Sequence, residues 1–230
     1  VNLRTTIQEL GNTEKNITVN FMAEGKITIP LNIRLLINGQ RPLKADIAYI
    51  LKNSNGINPS LTAELRRLGY TYETISEDKI PLTDFYEYRM ILVGDQDFVS
   101  PNQIPIEKHK TLILNSDNYF RQSTNDYQFG WSSSRGSTTN PNLEVIDVIN
   151  PIALGIPKEF RGYSTANSQI YILRGQKPVG SKILVSSASL STDAVIASLD
   201  KGNRLLNGKL LQERQIFFGL VDSAHWTAQT

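Results

Sequence analysis

Hydrophobic and polar positions alternate near the start of the chain, apart from Met22. Ile17, Val19 and Phe21 are separated by Thr18 and Asn20, and Ile27, Ile29, Leu31, Ile33 and Leu35 repeat the pattern after Glu24-Gly25. Alternation with period two marks a half-buried strand, and the intervening glycine marks a turn. Pro30 lies inside the second run, which therefore reads as an edge strand or as two strands broken there. Asn38-Gly39 is a further turn signal. Residues 1–43 thus form a β segment too small to bury a core alone. It either packs on the rest of the chain or completes a β domain lying upstream.

From Asp46 the rhythm changes. Ile47–Leu51 is a continuous apolar run, as in a strand covered on both faces. Asn58-Pro59 supplies an N-cap with proline at the first helical position; Leu61, Leu65 and Leu68 then share one helix face, and Gly69 stops the helix. Tyr70–Ile75, Met90–Val93 and Thr111–Leu114 read as further strands, with a short connection at Pro81–Tyr88. Strand, helix and strand at this spacing predict a doubly wound, mostly parallel α/β sheet. Later strands fall at Leu143–Val148, Gln169–Leu173, Lys182–Ser186, Ala194–Leu199 and Gln215–Leu220, with turns at Gly202-Asn203 and Asn207-Gly208.

The composition narrows the chemistry. The 230 residues contain no cysteine and two histidines, His109 and His225. Thiolate nucleophiles, zinc–thiolate sites, iron–sulfur clusters and histidine-rich metal centres are thereby excluded from this chain. Lys+Arg 24 against Asp+Glu 22 is too balanced to point to nucleic acid or an anionic membrane surface. No apolar run approaches the roughly 20 residues of a membrane span.

Several motifs in this order resemble the class I glutamine amidotransferase-like superfamily, with its ThuA-like and flavodoxin-like relatives. They are the strand at Ala48-Tyr49-Ile50, the helix at Asn58-Pro59, Leu68-Gly69-Tyr70, and Asp84–Gly94 ending in Met90-Ile91-Leu92-Val93-Gly94. Ile149-Asn150-Pro151-Ile152 with Gly155-Ile156-Pro157 is similar to an element of the ThuA-like branch, and Gln215–Leu220 to the family's late strand. The resemblance covers residues 44–230 and implies an amidotransferase-like α/β domain that stops before the family's final helix. Asn12–Phe21 resembles the closing strands of an immunoglobulin-like, cell-adhesion-related sandwich. Opening on Val1, the chain reads as a processed product or a segment of a longer polypeptide.

The resemblance places a catalytic cysteine in the elbow after Thr111–Leu114, where this sequence reads Asn115-Ser116-Asp117-Asn118. Amidotransferase chemistry is therefore not expected. Ser116 with His225, which follows the last strand, is the residual nucleophile–base pairing, set against a plain structural role for both. Asp95, Asp97 and Asp117 sit at strand ends, where open α/β folds bind ligands; they are the candidates for a hard cation, or simply loop caps. Between residues 123 and 142, Tyr127, Phe129, Trp131 and Arg135 form the candidate ligand or partner surface, the alternative being rings tucked onto the core. Asn16-Ile17-Thr18 is a glycosylation sequon if the protein is exported.

The leading expectation is a non-catalytic structural or interaction domain, with no cofactor. It would serve a larger extracellular, cell-surface or virion-type assembly whose other subunits or domains are its partners. A carbohydrate- or small-ligand-binding module using residues 123–142 is the second expectation, and a residual serine hydrolase the third.

Overall fold

The computed structural model describes residues 12–23, 27–38, 43–118, 122–123, 126–127 and 129–228, with the backbone alone for 12–38, 122–127 and Arg135. The chain divides into two compact units, Val1–Lys44 and Ala45–Thr230.

In the first unit, β1 (Asn12–Ala23) and β2 (Ile27–Asn38) form an antiparallel two-stranded sheet. The register sets Ile17 opposite Ile33, Val19 opposite Leu31 and Phe21 opposite Ile29. β2 runs unbroken through Pro30, which stands opposite Asn20, so the proline does not split the strand. A two-stranded ribbon leaves alternate N–H groups on its outer edges, where a proline removes no ladder bond. The expected turns at Glu24-Gly25 and Asn38-Gly39 and the side chain of Asn16 lie outside the described residues.

The second unit opens with β3 (Ala45–Leu51), whose buried run pairs in parallel with both β4 (Tyr72–Ser76) and β5 (Tyr88–Val93). β6 (Thr111–Ile113) follows in parallel beside β5. Between β3 and β4 lies α1 (Pro59–Arg67), the only α-helix among the described residues. Asn58 caps it, its side-chain oxygen accepting from the N–H groups of Ser60 (3.1 Å) and Leu61 (3.2 Å). Gly69, at φ +81°, closes it. Leu61 and Leu65 are buried against the sheet, whereas Leu68 is 54% exposed: the helix ends at Arg67, so the third expected leucine leaves the apolar face.

The remaining strands are β7 (Gln122–Ser123) and β8 (Asp126–Tyr127), paired with each other, then β9 (Ser134–Thr138), β10 (Asn142–Val145) and β11 (Glu159–Arg161). β12 (Ile170–Arg174), β13 (Lys182–Ser187), β14 (Leu190–Leu199) and β15 (Gln215–Phe218) complete the set. The large sheet has 11 strands in the order β11-β10-β13-β14-β15-β6-β5-β3-β4, with β12 joined to β14 and β9.

This corrects the expected doubly wound, mostly parallel sheet to a mixed one. Strands β4, β3, β5, β6 and β15 are mutually parallel, and every pairing beyond β15 is antiparallel. The turn between Ser187 and Leu190 is too short for a crossover and can join only antiparallel neighbours. Helices are scarce because the connections carry Pro81, Pro101 and Pro105, which permit only short 3₁₀ turns such as Glu77–Leu82 and Pro101–Gln103.

Alternate residues of β3 build two layers of core. Ile47, Tyr49 and Leu51 pack with Leu61, Leu65 and Leu92 under α1. Ala48 and Ile50 face the opposite side, joining Phe85, Phe98, Ile104, Phe129, Trp131 and Phe217. A third cluster, containing Leu143, Phe160, Tyr163, Ile170, Leu184 and Val195, holds the antiparallel half together. No helix among the described residues is long and apolar enough to cross a membrane.

Candidate functional site

Parallel strands of one sheet end on the same side, so the segments following β3, β5, β6 and β15 gather at one end. Gly94 ends β5 in close contact: a Cβ there would lie 2.9 Å from Leu51 Cδ2 and 3.1 Å from the Ile50 carbonyl oxygen. The chain then presents Asp95, and Asn115-Ser116 follows β6 directly alongside.

Side chains tie these two loops together. The Ser116 N–H donates to Asp95 Oδ1 at 2.6 Å, and the Ser116 hydroxyl donates to the same oxygen. Asn115 Nδ2 donates to the carbonyls of Gly94 (3.0 Å) and Gln96 (2.5 Å), while its Oδ1 accepts from the N–H groups of Asp117 and Asn118. Asn118 Oδ1 accepts from the Phe98 N–H at 3.1 Å. Gln96 Oε1 accepts from the Lys52 N–H at 2.6 Å, fastening the loop after β3 to the same knot. Asn115, Ser116 and Asn118 are buried.

Asp95 keeps accessible surface while protein closes round its carboxyl. Desolvation therefore outweighs the two bonds from Ser116 and, with the nearby charge of Asp117, holds its pKa above the ordinary carboxylate value. The phenols of Tyr49 and Tyr163 are buried beside this end, and desolvation raises both pKa values, with Asp95 adding to the effect. Tyr163 accepts from the Asp222 N–H at 3.0 Å, and Ser223 donates to the capping oxygen of Asn58 at 3.0 Å.

Ser116 and His225 are not joined by a hydrogen bond. Ser116 is engaged by Asp95, whereas His225 Nε2 lies 3.8 Å from Asp222 Oδ2, which also accepts from Ser168 at 2.9 Å. A serine nucleophile needs a base within hydrogen-bond reach, and the histidine is directed elsewhere. The three aspartates are brought to one end, but among the described residues no group of three His, Asp or Glu side chains is placed to hold a metal ion.

The aromatic surface expected between residues 123 and 142 is corrected in part. Phe129 and Trp131 are buried in the core, and Trp131 Nε1 donates to the buried Gln215 Oε1 at 3.0 Å. Burial with a satisfied indole N–H takes Phe129 and Trp131 out of any ligand surface. Tyr127 lies in β8 and Arg135 in β9, opposite Leu173; their side chains lie outside the described residues. Sequence reasoning did not find Tyr49, Tyr163, Asn58 or Asn115 as parts of this end. Asn115 had a usable signal, since Asx and Ser side chains directly after a strand fold back on local backbone.

No protein-family model matches the chain, and no curated protein is a detectable relative. Its backbone is similar to the crystal structure of a glutamine amidotransferase from Thermotoga maritima. The identity is 11% over 75% of this chain and 74% of that one, with a TM-score of 0.41. A likeness at that level transfers no residue role.

Proposed function

We propose that this chain is a non-catalytic interaction module of a larger extracellular, cell-surface or virion-type assembly, joined to its neighbours through the β1–β2 ribbon. The observation that carries this reading is the ribbon itself. It stands as a two-stranded sheet outside the large one, and its register gathers Ile17, Val19, Phe21, Ile29, Leu31 and Ile33 onto one face. A lone two-stranded ribbon is marginal in water and needs an apolar cover; in this reading a neighbouring subunit or domain supplies it.

The absence of catalysis is supported by the loop after β6, where Asn115 and Ser116 are held by Asp95, Gly94 and Gln96 and no histidine reaches the serine. With zero cysteines, no thiol chemistry belongs to this chain. The carbohydrate reading loses two of its rings to the core, and the hydrolase reading loses its expected histidine, since His225 lies against Asp222.

The test is the double variant Val19→Asp with Leu31→Asp, compared with wild type by sedimentation velocity. The wild type is expected to associate, and the variant to lose the association made by the ribbon while keeping its far-UV circular dichroism. An unchanged mass distribution would count against the ribbon as the joint.

A further inference from the structure

The two edges of the large sheet are treated differently. At β11 the chain's own C-terminal segment covers the end of the strand: the Thr227 hydroxyl donates to the Arg161 carbonyl at 2.6 Å, and Trp226 bridges to Tyr163. At the other edge, β4 among the described residues is hydrogen-bonded on one side only, to β3. The Thr71 carbonyl accepts from the Ile47 N–H, and the Glu77 N–H donates to the Lys52 carbonyl. Odd-numbered residues of β4 therefore face β3, and the N–H and C=O groups of Tyr72, Thr74 and Ser76 face outward.

Natural edges are guarded by proline, lysine, bulges or outward charge. β4 reads Tyr-Glu-Thr-Ile-Ser, with no proline or lysine. Its one charged residue, Glu73, accepts from the Tyr88 hydroxyl within the same copy at 2.5 Å. At the centre of the edge Thr74 is exposed.

We propose that β4 pairs antiparallel with β4 of a second copy of this chain, about a two-fold axis through Thr74. In this register Tyr72 bonds Ser76 of the second copy, Thr74 bonds Thr74, and all the outward groups are satisfied by the symmetry itself. Threonine opposite threonine is a favourable cross-strand pair.

The charges agree with the direction. Arg66 and Arg67 precede the strand and Glu77 and Asp78 follow it, so antiparallel pairing sets the basic end of each copy against the acidic end of the other. Within its own copy Arg67 pairs with Glu64, Arg66 donates to the Tyr72 hydroxyl, and Asp78 lies 3.7 Å from Lys79. Each end still carries a net charge of opposite sign. A parallel pairing would set like ends together. This surface differs from the β1–β2 ribbon and stands or falls separately from it.

A chain without cysteine makes the test clean. In the proposed register the two Thr74 Cα atoms lie roughly 5.5 Å apart, within disulfide range, whereas the two Ser76 Cα atoms lie roughly 14 Å apart. The full chain carrying Thr74→Cys, incubated with oxidised glutathione, is expected to form a covalent dimer on non-reducing gels, while Ser76→Cys stays monomeric. The companion variant is Thr74→Pro, whose lost N–H faces outward and spares the β3 ladder. It is expected to remove one step of association in sedimentation velocity, with circular dichroism unchanged. Equal cross-linking of the Thr74→Cys and Ser76→Cys chains, or none from Thr74→Cys, would overturn the proposal. So would a Thr74→Pro mass distribution identical to wild type. If the ribbon variant loses association and Thr74→Pro does not, the edge proposal falls and the ribbon reading stands.

Discussion

His109 lies against two rings, with centroids 4.7 Å from Tyr86 and 5.9 Å from Phe85. Burial, helped by the Lys108 charge, holds its pKa below the ordinary value, although Asp84, Glu107 and Glu213 pull the other way. The folded state therefore binds this proton less readily than the unfolded chain. Its contribution to stability is complete above the ordinary histidine value near 6.5 and is lost as pH falls below it. The urea midpoint of wild type should drop on the acid side of that value, and His109→Phe should flatten the drop. A midpoint that falls equally in both proteins would show that other groups set the acid limb. Asp95, whose pKa is raised by desolvation, acts in the opposite sense, between the ordinary carboxylate value and its raised folded value. Gly219 is a second single-residue dependence. A Cβ there would lie 2.0 Å from the Tyr171 carbonyl oxygen, and the Gly219 backbone bonds both Val195 (2.8 Å) and Tyr171 (2.9 Å). Gly219→Ala should cost on the order of 3 kcal/mol in denaturant unfolding, because backbone must move.

The cap of α1 makes one oxygen serve two elements. Asn58 Oδ1 accepts from the first turn of the helix and from Ser223, which follows β15. Asn58→Ala should lower stability by about 1–2 kcal/mol, at the upper end for an N-cap because Ser223 also loses its partner. Asn58→Ser, which keeps an oxygen acceptor, should recover part of that, and chemical unfolding of the three proteins measures it. This cap was legible in Asn58-Pro59, as were β3, β5 and β6, because strands buried on both faces read as unbroken apolar runs. Direction was not legible. Lys182–Ser187 and Leu190–Leu199 show the same apolar patterning a parallel strand would, and only their tight turn forces them antiparallel. β9 and β11 escaped because Ser-Arg-Gly-Ser-Thr and Glu-Phe-Arg carry too few apolar residues to register as strands. At the candidate site, the sequence placed Asp95 and Ser116 at strand ends but could not pair them. Nor could it show that Trp131, far along the chain, meets Gln215 in the core.

For the molecule as a whole, the proposed function is contact with a partner rather than a reaction. At the end of the sheet where Asp95 meets Asn115-Ser116, side-chain bonds to backbone tie the loops together, and the serine and histidine address different carboxylates. The proposals rest on two other features: the β1–β2 register, which sets Ile17, Val19 and Phe21 opposite Ile33, Leu31 and Ile29, and the edge of β4, which among the described residues pairs with β3 alone. Association through either surface makes measured mass depend on concentration, and the formal charge of +2 opposes it little. The measurement that bears most directly on this account is sedimentation velocity of the intact wild-type chain across a wide concentration range. The account predicts species at multiples of 25.8 kDa that grow with concentration. A single species at 25.8 kDa throughout would contradict it.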